Sequence, residues 1–235
     1  MKKTSSDNAY TLIEVAFVVI VLSVILGLVV NIKANNVENH IKRAVSELQE
    51  YKSSIVGFKR KYGFLPGDLT KTQIFSLSLN NTDGNQNGLI EDKNQLNGVY
   101  DKNLKMDGEI ANFWLHLYRS GFLKKTKSIF PYVPFLKTGI LVFSNGERNF
   151  YHLAISGVNI NKDIKTINNL TPYEAYLIDK KLDDGLPFSG NVFAYGGNTI
   201  NNLKLKSPNP KCATDFEYLT VYRKKLCQLV YEIDI

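Results

Sequence analysis

The stretch Ala9-Tyr10-Thr11-Leu12-Ile13-Glu14-Val15 opens onto VAFVVIVLSVILGLVVNI, Val15 to Ile32, in which no side chain is charged. As a helix, that run is long enough to span a bilayer core with some tilt. Lys2 and Lys3 precede it, so the positive-inside rule places the N-terminus in the cytoplasm and the rest of the chain on the far side. A secretory signal is cut after its apolar region; here the polar leader, Met1 to Ala9, comes before it. Glu14 stands at the edge of the run, where a carboxylate is costly in lipid and therefore a functional candidate. Its plain alternative is a side chain resting at the headgroup level of an ordinary anchor.

The helical pattern continues past the run. Val37, Ile41, Ala44, Leu48, Tyr51, Ile55, Phe58 and Tyr62 recur at spacings of three and four and make an apolar stripe. The stripe fits a coiled-coil seam or, better, packing on the globular part that follows. Gly63 and Pro66 supply the first strong stop. A helix from Tyr10 to Tyr62 would be about 80 Å long.

Ala9 to Glu14 resembles the prepilin cleavage and methylation motif G-F-T-L-I-E, with Ala for Gly and Tyr for Phe. The resemblance is to the type IV pilin-like and pseudopilin family. It implies an α+β, pilin-like fold: a long N-terminal transmembrane helix packed on a globular head with an antiparallel β-sheet. It also implies that prepilin peptidase cuts after Ala9 and N-methylates Tyr10, and that Glu14 meets the free N-terminal amine of a neighbouring subunit in a dry filament core. The expected organisation is a leader at 1–9, a helix at 10–62 whose part 10–32 is membrane or filament core, and an extracytoplasmic head at 63–235. The expected location is the bacterial inner membrane, single-pass, with the head periplasmic and the chain in a filament after assembly. Expected partners are prepilin peptidase, other pilin-like subunits and an inner-membrane assembly platform. Minor type IV pilin, type II secretion pseudopilin and competence pseudopilin all fit; the lack of a kinking proline in the apolar half leans towards pseudopilins.

The composition is ordinary for a globular protein, 44% hydrophobic and 22% charged over 235 residues. The head reads as mixed. Gly63 to Asn103 is a long Gly/Asn/Asp-rich loop region with a helical turn near Ile74 to Leu79. Asp107 caps a helix to about Ser120, with Gly121 at its end. Ile140–Ser144 and Asn149–Ile155 form a hairpin about Asn145-Gly146. Thr171, Pro172 and Glu174 begin a helix to about Leu182 with a capping box, and Cys227 to Ile233 is strand-like.

Within the loop, Asp83-Gly84-Asn85-Gln86-Asn87-Gly88-Leu89-Ile90-Glu91-Asp92 resembles the first part of an EF-hand calcium loop. Alternating Asp83, Asn85 and Asn87 place side-chain oxygens about one point, the Leu89 carbonyl can add another, and Gly88 permits the sharp turn. Asn94 stands where that loop has its bidentate Glu, so Glu91 or Asp92 would substitute, with weaker binding of Ca2+. The alternative is a solvated turn. Ile178 to Gly185, with Asp183 and Asp184, resembles a stretch recurring in pilin-like heads; it shapes a loop or forms a second cation site.

Cys212 and Cys227 are two buried thiols or one disulfide, and an extracytoplasmic head favours the disulfide. No H-E-x-x-H, P-loop, G-x-S-x-G or G-x-G-x-x-G motif occurs, and His40, His116 and His152 are dispersed, so no enzyme activity is expected. The second functional reading is a binding module, at a filament tip or membrane-anchored, that takes DNA or a surface ligand with the net charge of +7 and exposed aromatics.

Overall fold

The computed structural model describes residues 11–70, 84–95, 104–124, 130–158, 160–195 and 211–233, and the side chains of all of these but 28–35 and 195. The chain divides into two compact units, Met1–His40 and Ile41–Ile235. Helix α1, Leu12–Tyr62, contributes to both. It ends where the Gly63 N–H bonds the Lys59 carbonyl at 2.8 Å.

In the first unit every described residue from Thr11 to Gly27 is exposed. Leu12 is 88% exposed, Phe17 67%, Ile20 62% and Leu26 64%. Two expectations are corrected here. Among the described residues no helix is long and apolar enough to cross a membrane. The transmembrane helix in the expected fold and the single-pass inner-membrane location with a periplasmic head therefore do not stand. Among the described side chains the uncharged run extends from Val15 to Gly27, about 20 Å of helix against a hydrocarbon core of ~30 Å.

The second unit is α+β with an antiparallel sheet. Beyond α1 it contains α2 (Gly108–Arg119), α3 (Pro172–Leu182) and strands β1 (Tyr132–Val133), β2 (Thr138–Ser144), β3 (Asn149–Val158), β4 (Ile164–Thr166), β5 (Val192–Tyr195) and β6 (Gln228–Glu232). The sheet order is β1-β2-β3-β6-β5, with β4 also paired to β3. Val142 faces Tyr151 in the β2–β3 ladder and Tyr151 faces Tyr231 in the β3–β6 ladder.

The core begins on α1. Ile41, Ala44, Leu48, Ile55 and Phe58 of its apolar stripe are buried, 2% exposed or less. An aromatic column then crosses the layers. Tyr51 of α1 meets the edge of Trp114 of α2 at 5.5 Å, Trp114 stacks on Tyr151 of β3 at 6.3 Å, and Tyr151 on Tyr231 of β6 at 6.0 Å. Such offset and edge contacts add to the large apolar burial of the rings.

The hairpin turns through Asn145–Arg148, with Gly146 at φ 95° and the Asn145 side chain accepting from the Glu147 and Arg148 N–H groups. The α3 capping box is complete: Thr171 Oγ1 accepts from Glu174 N–H, and the Glu174 carboxylate accepts from Thr171 N–H at 2.8 Å. Helix α2 starts differently from the expectation. Asp107 makes no side-chain cap. The Glu91 carbonyl instead accepts from the Glu109 and Ile110 N–H groups, at 2.9 and 3.3 Å, while Asp107 Oδ1 accepts from Lys93 N–H.

Candidate functional site

Four places carry the residues that the sequence singles out: the start of α1, the polar loop 84–95, the turn after α3 with Asp183 and Asp184, and the C-terminal segment closed by the cysteines.

At the start of α1, Thr11 and Glu14 form a second capping box. The Glu14 carboxylate accepts from the Thr11 N–H at 2.8 Å and from its hydroxyl at 2.9 Å, and Thr11 Oγ1 accepts from Glu14 N–H at 3.4 Å. In the single chain, Glu14 thus satisfies orphan donors of the helix end. The cleavage and methylation positions, Ala9 and Tyr10, lie outside the described residues, as does the turn expected at 74–79.

The loop 84–95 is docked on the end of the β2–β3 hairpin. Ser144 N–H bonds the Ile90 carbonyl at 2.7 Å, Ile90 N–H bonds Asn149 Oδ1 at 2.8 Å, and Asn149 Nδ2 bonds the Gly88 carbonyl at 2.8 Å. Its interior is lined by buried carboxylates. Asp68 accepts from the Gln86 N–H and, at 2.9 Å, from the Gly88 N–H. Glu109, brought by α2, accepts from Asn85 N–H at 2.9 Å and Glu91 N–H at 3.1 Å. Glu91 accepts from the side-chain amides of Asn85 and Asn87, at 3.2 and 2.9 Å.

Asp68, Glu91 and Glu109 are each 1% exposed or less, and Asp68 and Glu109 lie close enough for each carboxyl to influence the other's ionisation. Burial raises both of these carboxyls, Glu109 to about 8. The packing is close: a Cβ on Gly84 would lie 2.5 Å from Asp68 Cα, and one on Gly67, at φ 93°, would lie 2.7 Å from the Glu109 carbonyl.

Of the six expected calcium ligands, Asp83 lies outside the described residues. Asn85, Asn87, Leu89 and Glu91 share this loop. Asn85 Oδ1 accepts from Asn87 N–H and Asn87 Oδ1 from Leu89 N–H, both Asx turns. Asp92 closes the following turn, accepting from Asn94, Gln95 and Lys105 N–H groups. The donors fit calcium in kind, since all are hard oxygens.

Sequence reasoning passed over Asp68 and Glu109. The readable signal was on α2: Glu109, Asn112, Phe113 and His116 occupy one helical face and are all buried, so two ionisable groups sit where an apolar stripe belongs. His116 Nδ1 accepts from Gly67 N–H at 2.9 Å, and burial lowers its pKa to about 4.

Asp179, Asp183 and Asp184 bring carboxylate oxygens within 4.8 Å of one another. Each has a structural task. Asp179 accepts from Tyr218 Oη at 2.7 Å and Gly185 N–H at 3.1 Å. Asp183 accepts from Asn191 and Val192 N–H groups, and Asp184 from Leu186 N–H. Burial raises Asp179 to about 7 despite those donors.

Cys212 and Cys227 form a disulfide. Both are fully buried, and the segment between them is folded back by the Ala213–Tyr218 bridge and the Leu219 N–H bond to the Cys212 carbonyl at 2.8 Å.

Comparison of the chain with protein-family models, with curated proteins and with solved structures found no match.

Proposed function

We propose that this chain is a structural subunit of a pilin-like filament, a minor pilin or a pseudopilin, assembled through the N-terminal part of α1. The observation that carries the reading is the complete exposure of the apolar side chains from Leu12 to Leu26 on every face of the helix. A helix that is apolar all round requires cover on all sides, and copies of the same helix supply it in a bundle. Thr11-Leu12-Ile13-Glu14 gives the reading its family character. In a filament, Glu14 exchanges the Thr11 donors for the N-terminal amine of a neighbouring subunit, freed when prepilin peptidase removes the leader after Ala9 and methylates Tyr10.

The test is intact mass and N-terminal sequencing of the chain recovered from cells that hold a prepilin peptidase, followed by electron microscopy of the product. Methylated Tyr10 at the N-terminus, together with filaments lost in Leu22→Asp, is the expected result. A chain that still begins at Met1, or one that is processed and stays monomeric in sedimentation, refutes the proposal.

We propose calcium as the cation of the 83–92 loop, supported by the D-x-N-x-N-G sequence and by the side-chain oxygens of buried Glu91 and exposed Asn85 and Asn87 on one loop. Bound there, the ion would hold the loop closed. Thermal unfolding with calcium at millimolar levels, the order of magnitude of extracellular sites, should show a higher midpoint than in chelator, and Asn85→Ala with Asn87→Ala should erase the difference. Equal midpoints in the parent chain overturn this assignment.

A further inference from the structure

A cleft of ≈ 520 Å³ lies between α1, the end of α2 and the entry to β1, within the size range of small-molecule sites. Tyr51, Tyr118, Phe122 and Tyr132 line it, and Glu47 and Glu50 stand among these rings. Against the two carboxylates the described lining sets one cation, the exposed Lys124. The cleft therefore joins aromatic walls to a negative balance of charge.

Its walls are held in place. Ser54 Oγ of α1 donates to the Phe122 carbonyl at 3.2 Å, and Phe58 meets the edge of the Phe122 ring at 5.9 Å. Tyr51 is fixed against Trp114. On the far wall, Tyr132 pairs with Gly139, and the Ile140 N–H bonds the Pro131 carbonyl at 3.0 Å. A ligand would find the rings already in position.

Glu47 sets the chemistry. Its Oε2 is covered and has no hydrogen-bond partner among the described residues. Burial, and after it Glu50, raises the Glu47 carboxyl. Burial, and after it Glu47, pushes Tyr51 up to about 12, so its ring stays neutral at ordinary pH. A covered oxygen is out of reach of a donor arriving from outside, whereas a positive charge acts on it through space. A metal ion needs several hard oxygens in contact. A primary ammonium has three N–H groups to satisfy, where the cleft offers mainly ring faces. A quaternary ammonium has no N–H group; its methyl groups pack on the rings and its charge meets their negative faces.

We propose that this cleft binds a small quaternary ammonium compound. Tyr51, Tyr118, Phe122 and Tyr132 enclose the cationic head, and Glu47 and Glu50 balance its charge. The inference does not rest on filament assembly.

The test is ligand-observed NMR of choline titrated into the full chain, in a maltoside detergent at constant ionic strength. Contacts with several rings give an expected dissociation constant on the order of a millimolar. The neutral isostere of choline, with carbon in place of the ammonium nitrogen, should bind about 10-fold more weakly. Glu47→Gln keeps the side-chain shape and should weaken choline binding about 5-fold. Tyr132→Leu, at a ring 51% exposed, should weaken it about 3-fold, and circular dichroism checks that both variants fold. Glycerophosphocholine that competes as well as choline makes a lipid headgroup the source of the cation; no competition makes it a free solute, and either sustains the proposal. Absence of saturable choline binding, equal binding of the neutral isostere, or parent affinity in folded Glu47→Gln overturns it.

Discussion

Replacing Cys212 and Cys227 together by alanine removes one constraint and little else. The sulfurs are fully buried, and alanine avoids leaving a buried hydroxyl. The ring has a sequence separation of 15, for which the chain-entropy model gives about 3 kcal/mol of stabilisation. Strand β6, which follows Cys227, is held by ladders to β3 and β5, so the head should fold without the bond. For a unit of this size each kcal/mol moves the midpoint by about 2–4 °C, so the variant should melt about 6–12 °C below the oxidised parent. Scanning calorimetry of the parent, with and without reductant, and of the variant measures this. The reduced parent and the variant should agree. A loss below about 2 °C would show that the unfolded chain gains no freedom when the ring opens. A variant that does not fold would show that the bond organises the core, and either result refutes the argument from ring size.

Other perturbations test the packing and the buried charges. Trp114→Ala removes the centre of the aromatic column and should cost about 3–5 kcal/mol in denaturant unfolding. Asn169 is 3% exposed, and its Nδ2 donates to the Leu153 carbonyl at 2.8 Å and to Thr138 Oγ1 at 3.3 Å; Asn169→Ala should cost about 1–3 kcal/mol by removing both bonds, although the Leu153 carbonyl keeps the Thr138 hydroxyl as a donor. For pH, the raised carboxyls Glu109 and Asp179 stabilise the fold fully only while protonated, so their contribution is lost as pH rises through their folded values of about 8 and about 7. His116, depressed to about 4 from an ordinary 6.5, acts in the opposite sense and contributes fully only above that ordinary value. The melting midpoint in chelator should therefore fall between pH 6.5 and 8, and Glu109→Gln with Asp179→Asn should flatten that fall; a rising midpoint in the parent would contradict the burial argument.

Local chemistry was the legible part of the sequence. The Thr171–Glu174 box, the Asn145-Gly146 turn and the stripe from Ile41 to Phe58 are each written within a few residues, and each folds as its spacing dictates. The same T-x-x-E pattern at Thr11–Glu14 reads both as part of a processing motif and as a plain capping box, and the folded chain forms the box. Asp68 was illegible because the loop it holds lies well beyond it in the chain, across a long intervening segment. Glu109 stands in the first turn of its helix, where a carboxylate complements the helix dipole in sequence terms; its burial follows from Gly67 and Gly84 letting backbones approach. Strands β1, β4 and β5 are too short to show alternation, and they exist because β2, β3 and β6 offer them partners.

The borders of the sheet carry a last consequence. Its described outer strands are Tyr132–Val133 on one side and Val192–Tyr195 on the other. Each offers so few free backbone groups that a foreign strand gains little by adding there. A protein that polymerises at high local concentration runs the risk of cross-β growth, which does not readily reverse. In the filament proposed above, blunt sheet borders would leave side-by-side helices as the route to a polymer, and a polymer held by side chains alone can be taken apart subunit by subunit and built again.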